Sequence, residues 1–138
     1  MQTAGNENCH VILRGGTSGP NADAASVQAI VDKLAERTDR PRLMIDASHA
    51  NSGKDHVRQA EVARDVAKQI AEGNEHIAGV MLESFLVAGA QALDQANPGD
   101  LVYGQSVTDA CMDIDTTVDL LSELAAAVRT RRAGQTLD

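Results

Sequence analysis

The stretch Leu43-Met-Ile-Asp-Ala-Ser-His49 decides the fold, because a short apolar run ends there on residues that can do chemistry. Two further runs have the same form: Val11-Ile-Leu13 ends on Arg14, and residues 77–82 end on Glu83. Strand-like runs that alternate with helical patterns are typical of parallel sheets, in which the carboxyl ends of the strands share one edge. The pattern therefore predicts an imidazole, a carboxylate and a guanidinium at the edge where such folds carry their active sites.

The segments between the runs carry the 3.6-residue period of amphipathic helices. Helices are predicted at about residues 23–37, 55–72 and 115–131, strands at 9–13, 42–47 and 76–82, and a long loop at 84–112. The inner stripe of the third helix is predicted to be Ile114, Val118, Leu121, Ala125 and Val128. The order of the elements is thus βα, repeated three times.

Three βα units give an α/β fold, but three parallel strands cannot close a barrel and leave apolar edges exposed. A (β/α)₈ barrel needs about 250 residues, whereas this chain has 138. We therefore expect the C-terminal (βα)₃ part of a TIM barrel. Residues 1–138 would form this single partial domain, and residues 133–138 a frayed tail.

Composition and charge narrow the class of protein. The aromatic content of 1% and the net charge of −8 disfavour binding to nucleic acid or to anionic membranes, although they do not exclude a small anionic substrate. Two cysteines make no disulfide framework, and no run approaches the roughly 18 apolar residues of a membrane span. A cytoplasmic protein is expected.

His49, Glu83 and Asp109 are the candidate metal ligands. One imidazole and two carboxylates suit a divalent ion such as Mn²⁺, Fe²⁺, Co²⁺ or Zn²⁺. Glu83 follows an apolar strand, where a carboxylate is costly unless it is paired or bound to a metal. Two alternatives stay open: His49 as a turn-capping residue and Asp109 as a helix N-cap. Asp46 is predicted to orient its neighbours by hydrogen bonds rather than to bind the metal.

Arg14, Gly15 and Gly16 form a candidate phosphate clamp. The glycines let backbone N–H groups approach an anion, and the guanidinium can bind it bidentately. The alternative is a glycine turn that carries a surface arginine. A dinucleotide-binding loop is disfavoured, because the spacing is not G-x-G-x-x-G and Pro20 stands before the helix.

Four blocks of the sequence resemble one enzyme family, the class I 3-deoxy-D-arabino-heptulosonate 7-phosphate (DAHP) synthases. The blocks are Cys9-His-Val-Ile-Leu-Arg-Gly-Gly16, Met44-Ile-Asp-Ala-Ser-His-Ala-Asn51, Gly79-Val-Met-Leu-Glu-Ser84 and Tyr103-Gly-Gln-Ser-Val-Thr-Asp-Ala-Cys111. They follow the order and spacing of the family along essentially the whole chain.

The resemblance implies a role for each candidate residue. The family's metal-ligand positions fall on His49, Glu83 and Asp109. Arg14, with the two glycines after it, falls where the family binds the phosphate of phosphoenolpyruvate, so His49 and Arg14 are the residues assigned to catalysis.

The resemblance also implies the reaction, which opens the shikimate pathway to chorismate and the aromatic amino acids. Phosphoenolpyruvate condenses with D-erythrose 4-phosphate: C3 of the enol ester attacks the aldehyde, water adds at C2, and phosphate leaves by C–O cleavage. A divalent metal polarises and orients the reactants, and arginine and lysine neutralise the phosphates. The parent enzyme is expected to be a homo-oligomer.

The chain departs from the family in its length. The family's fourth metal ligand, a cysteine, comes from an early strand that this sequence lacks, and so do the lysine and arginine residues that complete the substrate sites. The resemblance covers the C-terminal two-fifths of the enzyme, and activity is expected only together with an N-terminal part. The alternatives are a non-catalytic remnant that acts as an interaction or assembly module, and an unrelated metal-dependent lyase or hydrolase barrel.

Overall fold

The computed structural model describes residues 4–6, 9–93, 97 and 99–135 of the chain. The elements follow in the order β1 (Val11–Leu13), α1 (Ala24–Ala35), β2 (Leu43–Asp46), α2 (His49–Ser52), α3 (His56–Ala71), β3 (Ile77–Met81), β4 (Val87–Ala90), β5 (Gln105–Ser106) and α4 (Ile114–Gln135). The predicted α/β class is confirmed. Within the described ranges, no helix has both the length and the apolar character needed to cross a membrane.

The main sheet is parallel and has the strand order β1-β2-β3. Leu13 at the end of β1 pairs with Ile45 of β2, and Ile45 pairs with Val80 of β3. The carboxyl ends of the three strands therefore lie along one edge. Polar residues that follow the strands are brought together there.

The core lies between this sheet and the helices. Val27 and Val31 of α1 and Val66 and Ile70 of α3 are buried in one cluster with residues of the strands. Burial of a Val or Ile side chain contributes roughly 1.5–3 kcal/mol. This packing stabilises the sheet whose edge carries the polar residues.

Aspartate side chains set the beginnings of α1 and α3. Asp23 accepts a hydrogen bond from the backbone of Ser26 at 2.9 Å. Asp55 accepts from the backbone of Val57 at 2.8 Å and of Arg58 at 3.2 Å. These bonds satisfy N–H groups that have no partner within the helix, so α3 starts directly after the turn that carries His49.

The predicted inner stripe of α4 is wrong at four of its five positions, and only Val128 packs, partly buried, against the core. The buried residues are Thr117, Leu120 and Ala127, whereas Val118 is 53% exposed and Leu121 is 55% exposed. α4 carries apolar residues on two faces, and periodicity alone does not choose between them. Leu120 is buried in one cluster with Ala60 and Ala63 of α3. Ala127 is buried in the main core with Val66 of α3, so packing against α3 decides which face of α4 is buried.

Three further segments differ from the sequence-based expectation. Residues 49–52, predicted as loop, form the single-turn helix α2, and the predicted loop 84–112 contains β4 and β5, which pair in parallel as a second, two-stranded sheet. α4 continues to Gln135, so residues 133–135 are helical rather than frayed. Residues 136–138 lie outside the described part of the chain.

Candidate metal centre

His49, Glu83 and Asp109 meet at the carboxyl edge of the main sheet. Each offers one ligand atom, and these atoms all lie within 4.8 Å of one another. His49 begins α2 just after β2, Glu83 follows β3 by two residues, and Asp109 lies between β5 and α4. Their side chains are 25%, 27% and 42% exposed, so a small ligand can reach them from solvent.

Asp46 holds the imidazole of His49 in place. Its buried carboxylate lies 2.7 Å from Nδ1 of His49 and also accepts hydrogen bonds from the backbone and the hydroxyl of Ser48. Because an ionised carboxylate can only accept, this contact assigns the donating N–H to Nδ1, and in the neutral ring the lone pair is then on Nε2. Nε2 points toward Glu83, whose Oε1 lies 3.5 Å away. The predicted orienting role of Asp46 is confirmed.

An unusual backbone at the start of α2 accompanies this placement of His49. His49 has a φ of +47°, which is rare for a residue with a side chain and is associated with functional sites. Asn51 stabilises the turn, because its buried amide donates to the carbonyls of Leu13 at 3.0 Å and Asp46 at 2.7 Å. Sequence reasoning did not single out Asn51, whose only signal was its place two residues after the histidine.

Asp109 is not a helix N-cap, so that alternative is wrong. Asp113 begins α4, and its carboxylate accepts from the backbone of Thr116 at 2.7 Å. The carboxylate of Asp109 instead lies 3.2 and 3.4 Å from the ammonium of Lys54. Sequence reasoning missed Lys54, because a lysine 55 positions away gives no local signal of this contact.

The backbone N–H groups of the predicted phosphate clamp already donate hydrogen bonds within the turn that follows β1. The N–H of Gly15 donates to the side chain of Asn21 at 2.7 Å, and the N–H of Gly16 donates to the carbonyl of Gly19 at 3.0 Å. The expectation that both glycines present N–H groups to an anion is therefore corrected. Arg14 is exposed, and its side chain makes no hydrogen bond or ion pair with any residue in the described ranges, so its guanidinium can receive an anion.

Gly15 has a packing role instead. Its φ is +72°, and a Cβ placed on it would lie 2.8 Å from Cβ of Ala50 in α2. The turn after β1 therefore approaches the helix of His49 so closely that a side chain does not fit.

Comparisons with known proteins identify the family. The DAHP synthetase I family profile matches residues 1–122. The chain is 69% identical to a phospho-2-dehydro-3-deoxyheptonate aldolase of Corynebacterium glutamicum, over 96% of this chain and 37% of the relative. It is 47% identical to a phospho-2-dehydro-3-deoxyheptonate aldolase of Haemophilus influenzae, over 96% of this chain and 36% of that relative.

A solved structure gives the same result. The phospho-2-dehydro-3-deoxyheptonate aldolase of Francisella tularensis matches with a TM-score of 0.86 and 49% identity, over 94% of this chain and 37% of that one. The chain thus spans a little over a third of the length of these relatives. Because the family profile matches residues 1–122 and close relatives carry the same name, the chain belongs to the DAHP synthetase I family.

Proposed function

We propose that this chain forms part of the active site of a 3-deoxy-7-phosphoheptulonate synthase, which condenses phosphoenolpyruvate with D-erythrose 4-phosphate to DAHP and phosphate. The observation that carries the proposal is the cluster of His49, Glu83 and Asp109 at the carboxyl edge of a parallel sheet, in a member of this family. The activity is proposed for the chain within a full-length enzyme, because the chain spans 37% of the Corynebacterium relative.

The architecture proposed for the full enzyme is a TIM barrel, of which the chain supplies the C-terminal βα units. The parallel order β1-β2-β3 and the match to the Francisella structure support this assignment. In such barrels the carboxyl edge of the sheet carries the active site. Arg14, His49 and Glu83 follow strands at that edge. Asp109 lies beside His49 and Glu83.

The donor set fits a first-row divalent cation. An imidazole nitrogen and two carboxylate oxygens lie within 4.8 Å of one another. Asp46 engages Nδ1 of His49, so Nε2 is the ring nitrogen that would bind the cation. Mn²⁺, Fe²⁺, Co²⁺ and Zn²⁺ all accept these ligands. When bound, the cation supplies Lewis-acid polarisation of the sugar aldehyde.

The chain's own residues bind and orient the substrates. The exposed guanidinium of Arg14 binds the phosphate of phosphoenolpyruvate and stabilises the charge that grows on it as it leaves. In the reaction, the π electrons of the C2–C3 double bond of phosphoenolpyruvate form the new bond from C3 to the aldehyde carbon. The π pair of the aldehyde C=O moves to its oxygen, which becomes a hydroxyl by taking one proton from water, and the remaining hydroxide bonds to C2. The bond from C2 to the phosphate oxygen then breaks with its electron pair leaving on inorganic phosphate, while the hydroxyl on C2 loses its proton and becomes the ketone of DAHP.

A non-catalytic assembly module is the second candidate function. Exposed apolar residues favour it, among them Phe85, Leu86 and Tyr103 near the second sheet. An assembly role leaves unexplained why a buried carboxylate should orient a half-buried histidine toward two further carboxylates. The synthase proposal accounts for both observations, since the apolar surfaces would be covered in a full-length barrel.

The test is a full-length chimera, in which this chain replaces the matching segment of the Corynebacterium relative. With Mn²⁺ and both substrates we expect phosphate release, which is lost when the metal is chelated. His49→Ala and Glu83→Ala should each lose bound metal and at least about 100-fold in rate, since ligand loss disrupts the whole site.

His76→Ala is the matched control, because His76 contacts the carbonyl of Pro41 at the opposite edge of the sheet. It should keep both metal and turnover. Wild-type metal content and turnover in the His49 variant would contradict the proposal. Phosphate release without the aldose phosphate would favour an unrelated lyase or hydrolase.

A further inference from the structure

Gln59 is a buried polar side chain in the middle of the polar edge. It lies on α3 and is only 1% exposed. Its Oε1 accepts a hydrogen bond from the backbone N–H of Glu83 at 2.6 Å, and its Nε2 donates to the carbonyl of Glu83 at 3.1 Å. One side-chain amide therefore engages both peptide groups of a candidate metal ligand 24 positions away.

The end of the sheet explains why Glu83 needs this partner. The pairing of β2 with β3 ends at Asp46 and Met81, followed by one further bond from the N–H of Ala47 to the carbonyl of Met81. Glu83 lies two residues beyond Met81, past the last pair of the ladder. Gln59 offers one donor and one acceptor there, as a neighbouring strand would.

The same junction holds the segment of Asp109. The carbonyl of Glu83 also accepts a hydrogen bond from the N–H of Met112 at 3.0 Å, and Met112 follows Asp109 by three residues. The side chain of Met112 is buried in one cluster with Ala60 and Ala63 of α3. Gln59 thus lies where the chain segments of both carboxylates are fixed to a single helix.

We propose that Gln59 is a positioning residue for the metal centre. It fixes the main chain of Glu83, and through Met112 the segment of Asp109, so that both carboxylates face His49 before a cation arrives. The free energy of cation binding is then not reduced by the cost of ordering the ligands. This inference rests on the proposed function, because it concerns the same metal centre.

A buried amide can also serve packing alone, and the chain offers a matched control for that role. Gln69 lies on the same helix and is also buried. Its Nε2 donates to the carbonyl of Ala22 at 2.8 Å, within the core and not at the metal centre. Replacing either glutamine by leucine removes a buried amide from α3, but only Gln59 contacts a candidate ligand.

The experiment compares Gln59→Leu with Gln69→Leu in the full-length chimera, with Mn²⁺ alone as the probe. Both variants should melt at a lower temperature than the unmodified chimera, because each loses buried hydrogen bonds. Isothermal titration should show Mn²⁺ affinity weakened about ten- to hundredfold in Gln59→Leu, the range found for residues that support metal ligands. Gln69→Leu should bind Mn²⁺ like the unmodified protein.

Two outcomes would overturn the inference, and they differ in what they say about the proposed function. If the unmodified chimera binds no Mn²⁺, the proposed function fails and this inference fails with it. If the unmodified chimera binds Mn²⁺ and the two leucine variants bind it equally well, Gln59 serves packing alone and only this inference is overturned.

If Gln59→Leu does not fold, hydrogen exchange in the unmodified, metal-free chimera decides. The amide of Glu83 should already exchange slowly, because Gln59 accepts its hydrogen bond before any metal binds. If the amide of Glu83 exchanges fast in the metal-free chimera and its exchange slows only after Zn²⁺ is added, the inference is overturned.

Discussion

At the scale of single residues, Arg14 is the group that we expect to bind substrate phosphate. Arg14 is exposed and directly follows β1 at the carboxyl edge of the main sheet. Arg14→Ala in the chimera should weaken binding of phosphoenolpyruvate about ten- to hundredfold, because a charge-assisted hydrogen bond contributes about 1.5–3 kcal/mol. Arg64→Ala is the control, since Arg64 pairs with Glu123 on the helices. Unchanged affinity would make Arg14 a surface residue of a glycine turn.

Lys54 is expected to compete with a cation for Asp109. Its ammonium lies 3.2 and 3.4 Å from the two carboxylate oxygens. Both side chains are largely exposed, so the ion pair contributes at most about 1 kcal/mol to stability. Lys54→Met should therefore leave the melting temperature nearly unchanged but tighten Mn²⁺ binding severalfold at low salt, since one nearby positive charge is removed.

Lys68→Met provides the control, because Lys68 pairs with Glu72 at the far end of α3. It should leave Mn²⁺ affinity unchanged. Weaker binding in the Lys54 variant would show the opposite role, in which the ammonium holds Asp109 in position for the metal.

Gly15 and Gly16 differ in the space that is available for a side chain. At Gly15 a Cβ would lie 2.8 Å from Cβ of Ala50, and φ is +72°, whereas at Gly16 no atom lies within 4 Å of the added Cβ. Gly15→Ala should destabilise the chimera by about 1–3 kcal/mol from the backbone alone, with more from the displacement of α2. Gly16→Ala should be nearly neutral. Equal melting temperatures for the two variants would contradict this account.

At the scale of the element, the N-cap Asp55 makes the stability of α3 depend on pH. The backbone N–H groups of Arg58 and then Val57 hold the pKa of this carboxyl below its ordinary value of 3.8. A lowered pKa means that its contribution to stability is complete above about pH 4 and is lost as pH falls through the folded-state pKa. Asp55→Ala should lower the melting temperature by a few degrees at pH 7, and this difference should shrink below pH 4.

Asp55→Asn separates the cap from the charge. Asparagine is also a good N-cap but does not titrate in this range. The Asn variant should stay close to the parent protein at neutral pH and lose less stability in acid. A difference between Asp55→Ala and the parent that stays constant from pH 7 to pH 3 would rule out the proposed linkage.

At the scale of the whole molecule, α4 presents an apolar face that the described part of the chain leaves uncovered. Ile114, Val118 and Leu121 are all exposed. Val118 follows Ile114 by four residues and Leu121 follows it by seven, so the three lie on one face of the helix. Contiguous apolar surface of this kind favours association. Residues 1–138 alone should therefore self-associate with rising concentration in sedimentation experiments, whereas the full-length chimera should not show this association.

A double variant, Val118→Lys with Leu121→Lys, tests the same face in two contexts. In residues 1–138 alone it should reduce self-association, because charge replaces exposed apolar surface. In the chimera it should lower the melting temperature, because the remainder of a barrel would cover these positions. A sharply melting monomer of residues 1–138 would argue against the partial-barrel proposal.

The sequence by itself determined the elements and the residues that end them. Period-3.6 and strand-like patterns predicted three strands and three long helices. A parallel arrangement of those strands places the residues after them on one edge, so the sequence alone predicts His49, Glu83 and Arg14 as site residues. It also predicts the orienting role of Asp46, because a carboxylate inside a buried strand must find a hydrogen-bond partner.

Only the tertiary structure decided the contacts between distant segments. The buried face of α4 depends on its packing against α3. The N–H groups of Gly15 and Gly16 are engaged because their acceptors, Asn21 and Gly19, fold back onto them. The pairing of Gln59 with Glu83 joins residues 24 positions apart and leaves no periodic trace in the sequence. Local patterns report the conformation of a segment, whereas hydrogen bonds between segments depend on the packing of the whole chain.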